Sequence, residues 1–177
     1  MYKEEKETAK KEDMHIIRML VEDEPGVLAK ISGMFSARAF NIETIIVGRT
    51  HKPGVSQMVI SLHGDNKTLE QVEKQLNKLV PVIKVTELAR DMAVVRELCL
   101  VKVSAKTDKD RAEIMSYSKV YRNSIVDIDH NSVIVQMTGS PRKVESFLEL
   151  IKKFGIKDLS RSGINAMPRS GKGKEEF

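Results

Sequence analysis

Tryptophan is absent from this chain, aromatic residues make up 5% of it, and it holds a single cysteine among 177 residues. One thiol, Cys99, permits no intrachain disulfide, which suits a reducing cytoplasm, the expected location. Every long apolar stretch is broken by Lys, Arg, Asp or Glu well short of the roughly 20 residues a membrane span needs, so no membrane partner is expected. Residues 2–13 (YKEEKETAKKED) have no apolar centre and do not resemble a signal peptide; residues 1–13 read as a disordered, charged lead-in.

Catalytic signatures are missing as well. The chain contains no G-x-S-x-G and no G-x-x-x-x-G-K-[ST]. His15, His51, His63 and His130 are scattered, without H-x-x-x-H or C-x-x-C, so each reads as an edge or loop residue and no metal site is expected. The shortage of aromatics also weighs against nucleic acid. RNA-recognition modules stack bases on aromatic residues of a central strand, and neither 55–62 (VSQMVISL) nor 132–137 (SVIVQM) carries one. The formal charge of +5 comes from 30 basic against 25 acidic residues, and part of the excess lies in a basic tail at 169–177. That pattern is solubilising rather than a nucleic-acid footprint.

What the sequence does contain is ordered. Residues 15–21 (HIIRMLV) form a strand, and Val27, Leu28, Ile31, Met34 and Phe35 make the apolar stripe of a helix. Strands follow at 41–49 and 55–62, joined by HKPG at 51–54, the residue order of a type II turn. Leu69, Val72, Leu76 and Leu79 mark a second helix, Pro81 stops it, and 82–88 is a fourth strand. The order β-α-β-β-α-β is the split βαβ of a ferredoxin-like fold.

The second half repeats that order. Strands are predicted at 98–103, 125–128, 133–137 and 156–160, with helices at 109–121 and around Val144, Phe147, Leu148 and Ile151. Ser140-Pro141 starts the latter helix and Gly155 ends it. The fold class is therefore α+β, as two tandem ferredoxin-like domains. Residues 14–89 form the first and 96–168 the second, with a linker near 89–96.

Asp23-Glu24-Pro25-Gly26 stands between the first strand and the first helix. A helix start has backbone N–H groups without partners and partial positive charge, so it attracts a carboxylate. Pro25 suits the first turn, and a glycine leaves no Cβ to hold a ligand off the backbone. Gly26 therefore opens the N–H groups of Gly26, Val27 and Leu28 to a small anion.

EDEPGVL at 22–28, followed by FSARAFNIETI at 35–45, resembles the effector motif of ACT domains. LEQVEKQLNKLVPVIKVTEL at 69–88 narrows the likeness to the regulatory (small) subunits of acetolactate synthase, and VRELCLVKV at 95–103, Tyr121-Arg122 before IVDI, and SRSG at 160–163 continue it. The resemblance implies a non-catalytic subunit that binds and activates a catalytic subunit. Thiamine diphosphate, Mg and FAD are expected on that partner, and no cofactor on this chain. It also implies feedback inhibition by a branched-chain amino acid, valine above all, held where two ACT domains pair as a homodimer. One chain would supply Asp23, Pro25, Gly26, Val27 and Leu28, and the other Asn41 and Ile42. The alternative is an ACT sensor subunit of a different biosynthetic enzyme.

Two positions depart from the family pattern. Asp23 stands where well-known bacterial members have Asn, which sets attraction for an effector's ammonium against repulsion of its carboxylate. Ala39 stands where a helix-ending glycine is common; in a left-handed conformation it costs about 1 kcal/mol.

Overall fold

The structure, a computed structural model, describes residues 13–170. The chain divides between Ala89 and Arg90 into two compact units, each described by itself. The first runs β1 (Asp13–Glu22), α1 (Val27–Ser36), β2 (Ile42–Arg49), β3 (Val55–Gly64), α2 (Asn66–Leu76) and β4 (Val82–Glu87). Its sheet has the order β2-β3-β1-β4, all neighbours antiparallel, so β2 and β4 are the edges. The second unit runs β5 (Ala93–Ser104), α3 (Asp108–Val120), β6 (Ser124–Asp129), β7 (Ser132–Gly139), α4 (Pro141–Ile151), a 3-10 turn at Lys152–Phe154, β8 (Ile156–Arg161) and β9 (Asn165–Pro168). Its order, β6-β7-β5-β8, is the same ferredoxin-like arrangement.

Alternation builds both cores. In β1 the residues Ile17, Met19 and Val21 turn to one face, and Met58, Ile60 and Leu62 of β3 join them. Val27, Ile31, Met34 and Phe35 of α1 and Leu69, Val72 and Leu76 of α2 close over that face. The second core repeats the scheme with Cys99, Val101 and Val103 of β5, Val133, Val135 and Met137 of β7, and Val144, Phe147 and Ile151 of α4. Cys99 lies fully buried, and that desolvation pushes its thiol pKa up, away from the reactive thiolate.

Several local expectations meet their physical cause here. Val55 N–H donates to Lys52 O across Pro53-Gly54, with Gly54 at φ 74°, as a type II turn requires. Ala39 is left-handed at φ 54°, with Phe40 N–H donating to Phe35 O and Ala39 N–H to Ser36 O. This is a Schellman closure with alanine in the glycine position. Ser140 caps α4 by accepting from Lys143 N–H, with Pro141 in the first turn.

Other expectations are corrected. Asp13 already pairs with Gly64 in β1 instead of belonging to the lead-in, while the rest of that lead-in and tail residues 171–177 lie outside the described residues. The linker is shorter than 89–96, because Ala93–Arg96 of β5 pair with β9, a strand too short to announce itself by periodicity. Leu28 is off the buried stripe, 46% exposed at the start of α1. His15 is not an edge residue. It sits buried in the central strand β1, with Nδ1 3.2 Å from Glu87 Oε1 and Nε2 3.1 Å from Gly64 O.

Candidate functional site

The loop between β1 and α1 is held from two sides. Glu22 N–H donates to Pro81 O, and Asp23 N–H donates to Gly54 O, both at 2.9 Å. The turn at Gly54 and the connection from α2 to β4, in which Pro81 lies beyond the helix end at Leu76, therefore fix the chain just before Glu24-Pro25-Gly26. These three residues are exposed. Gly26 takes φ 86°, a left-handed conformation that glycine alone adopts without penalty, and it serves as N-cap of α1.

Among the described residues no side chain caps this helix. Val27 N–H reaches Glu24 O only at a long 3.5 Å, and among the described residues no acceptor is found for the N–H groups of Gly26 or Leu28. A Cβ built on Gly26 would meet no heavy atom of the described residues within 4 Å, so the mouth of the loop is open among them. Amides with partial positive charge, a left-handed glycine and open space are chemically suited to a small anion.

Asp23 is not free to turn toward those amides. Its Oδ1 accepts from Ser56 Oγ at 3.1 Å, and its Oδ2 lies 3.1 Å from Arg49 Nε. Ser56 is buried, whereas the Arg49 side chain is 86% exposed at the end of β2. Sequence reasoning singled out Asp23 and missed both partners. The hairpin register offered the signal: Arg49 pairs with Ser56, and Ser56 pairs with Val21, so the last residue of β2 lies level with the exit of β1.

The remaining candidates fall into different places. Val27 contributes its N–H to the loop, but its side chain belongs to the core. Leu28 and Pro25 lie exposed beside Gly26. Asn41 is exposed, and Ile42 packs half-buried against the core at the start of β2. These two are not beside the loop of their own chain. Ile42 pairs with Leu62, while Arg49 pairs with Ser56 next to the loop. Six steps along β3 at about 3.3 Å each separate them by about 20 Å. Within one chain the structure gathers Asp23, Pro25, Gly26, Val27 and Leu28 and leaves Asn41 and Ile42 at the opposite end of the sheet.

Among the described residues, no group of three His, Cys, Asp or Glu side chains is arranged to hold a metal ion. No helix among them is long and apolar enough to cross a membrane.

Comparison with known proteins adds a family pattern across both units. A family model described as "AHAS small subunit-like ACT domain" matches residues 17–84, and one described as "Small subunit of acetolactate synthase" matches residues 96–170. The chain is 48% identical over 160 residues to the Methanothermobacter thermautotrophicus protein named "Probable acetolactate synthase small subunit", covering 90% of this chain and 95% of that one. It is 40% identical to the acetolactate synthase small subunit of Mycolicibacterium smegmatis, covering 90% and 93%. The crystal structure of the Thermotoga maritima acetolactate synthase small subunit superposes with a TM-score of 0.82 at 40% identity, over 89% of this chain and 98% of that one.

Proposed function

This chain belongs to the family of acetolactate synthase small subunits, and on that premise we propose that it is a regulatory subunit conferring amino-acid control on a catalytic partner. It binds and activates a thiamine-diphosphate-dependent catalytic chain, carries no cofactor itself, and brings feedback inhibition by a branched-chain amino acid, valine foremost. Residues 14–89 are the sensing domain, and 96–168 the second domain.

The observation that carries this reading is the uncapped start of α1 at left-handed Gly26, with a polar Asn41 at the far end of an edge strand. The N–H groups of Gly26, Val27 and Leu28 take the effector's carboxylate. Leu28 and Pro25 offer apolar surface to a short aliphatic side chain. Asn41, with one acceptor and two donors on its amide, serves the polar atoms of the ligand from a second copy.

A homodimer supplies that second copy. Among the described strands β2 pairs with β3 alone, which makes it an edge at which a second copy could pair. A two-fold antiparallel pairing of β2 with its copy reverses the strand, so Ile42 of the partner subunit comes level with Arg49 and the Gly26 loop. That arrangement removes the separation of about 20 Å found within one chain. Because the ligand then touches both copies, its binding favours one dimer arrangement over another, and that preference is what reaches the catalytic chain. Couplings of this kind amount to about 1–3 kcal/mol, enough for strong inhibition without dissolving the complex.

The direct test mixes the protein with an acetolactate synthase catalytic subunit from the same cell and assays acetolactate formation with and without valine. The reading predicts higher activity on addition of this chain and inhibition when valine follows. No change in either condition refutes it.

A further inference from the structure

A carboxylate three residues ahead of an uncapped helix start is a rival for any ligand that docks there. The positive end of the helix attracts it, and its charge repels an incoming carboxylate. Asp23 occupies that place, yet among the described residues no side chain caps α1. Its two oxygens are instead taken sideways, one by the buried hydroxyl of Ser56 and the other by the Nε of Arg49. Ser56 fixes the direction of the group; Arg49 alone of the two cancels its charge.

We propose that Arg49 is a positioning residue of the effector site, neutralising Asp23 and holding it off the α1 amides so that they stay open to an amino-acid carboxylate. The inference rests on the reading that a branched-chain amino acid binds at Asp23–Leu28, and it adds how an aspartate is tolerated there. Arg49 ends the edge strand β2, where the proposed dimer brings in the partner's Asn41. It therefore stands between the two halves of the site and acts on the ligand only through Asp23. The charge-cancelling role also makes the loop conditional. Asp23 and Arg49 are matched, so the effect of changing Arg49 depends on whether the carboxylate at position 23 is present.

The test is calorimetric titration of the full chain with valine, leucine and isoleucine, for wild type, Arg49→Gln, Asp23→Asn and the double variant. With Asp23 in place, Arg49→Gln is expected to weaken the best ligand by up to about five-fold, the upper end of what an exposed ion pair carries. In the Asp23→Asn background, where no charge needs cancelling, the same change is expected to cost less than about two-fold. In 1 M NaCl, where the Debye length is about 3 Å, the two backgrounds converge. A purely structural Arg49 would cost the same in both backgrounds, and that result overturns the proposal, as does unchanged affinity in Arg49→Gln. Thermal unfolding of each variant separates loss of binding from loss of fold. If wild type binds none of the three amino acids, the effector reading itself fails and the inference falls with it. If wild type binds and the backgrounds do not differ, only the inference fails.

Discussion

Replacing Gly26 by alanine separates the stability of the loop from its proposed use. At φ 86° an L side chain costs about 1–2 kcal/mol, and no heavy atom of the described residues lies within 4 Å of the methyl to oppose it. Against a typical stability of about 5–15 kcal/mol the first unit stays folded, with its melting temperature lowered by about 5–15 °C. Binding should suffer far more. An N–H donor needs its carboxylate oxygen at about 2.9 Å, whereas a methyl carbon keeps other atoms about 3.5 Å away or more, so ligand and methyl compete for one space. Losing one or two charge-assisted bonds of about 1.5–3 kcal/mol each predicts a fall of at least about ten-fold, and of more than about a hundred-fold if both are lost, in valine affinity. Gly33→Ala is the control. It lies inside α1 with open space and an ordinary φ, so it should gain about 0.5–1 kcal/mol and leave binding alone. Calorimetry and thermal unfolding on the full chain read both quantities. A folded Gly26→Ala protein that binds valine like wild type refutes the use of these amides.

Three other perturbations test the surrounding physics. Glu97 is buried with both oxygens on Arg161, at 2.7 Å to Nε and 2.9 Å to Nη2. Arg161→Met should therefore cost about 3–5 kcal/mol in urea unfolding, whereas Glu97→Leu combined with Arg161→Met should come close to wild type. Equal losses in both would show that packing, not the orphaned charge, governs the site. Ala39→Gly relieves a left-handed alanine and should raise stability by about 1 kcal/mol without disturbing the edge-to-face Phe35–Phe40 pair, as denaturant midpoints will show. The Lys153 ammonium, hydrogen-bonded to Glu113, holds that carboxyl below its ordinary value of 4.5, with Tyr117 adding to the effect. Its stabilisation is thus complete above that value and lost as pH falls through the lowered one. In Lys153→Met, the Glu113 titration followed by NMR should move back up toward 4.5.

The legible part of this protein is local. Short apolar runs in β1 and β3, a period near 3.6 in the helices, Pro53-Gly54 in a hairpin and Ser140-Pro141 at a helix start each state their conformation within a few residues. The Gly26 turn is visible for the same reason. Hidden features are pairings between distant positions. Arg49 and Ser56 meet Asp23 only after β1, β2 and β3 are in register. Arg161 meets Glu97 across 64 residues, and β9 becomes a strand only because the start of β5 is there to receive it. Leu28 fits the apolar stripe by spacing, yet Gly26 starts the helix so that Val27 takes the inward position and Leu28 turns out. A helical period fixes which residues share a face, and tertiary placement decides how far around the helix that face extends.

The separation of Asn41 from Gly26 turns the shared site into an experiment on mixed dimers. If each site takes its loop from one copy and Asn41 from the other, Gly26→Ala and Asn41→Ala chains are each silent alone. A dimer of one of each holds one site with both parts intact and one with both broken. Random exchange makes about half of all dimers mixed, so about one quarter of wild-type sites should return on mixing the two dead proteins. A site formed within a single chain would give nothing back, because every chain in the mixture carries one lesion. Valine titration of the mixture after a cycle of mild unfolding and refolding therefore reads how the site is built. Stoichiometry near one quarter means that the edge strand β2 brings the two halves together. A stoichiometry of zero, with both variants folded and dimeric, means that the distance along the sheet is bridged in some other way and that the paired-edge site is wrong.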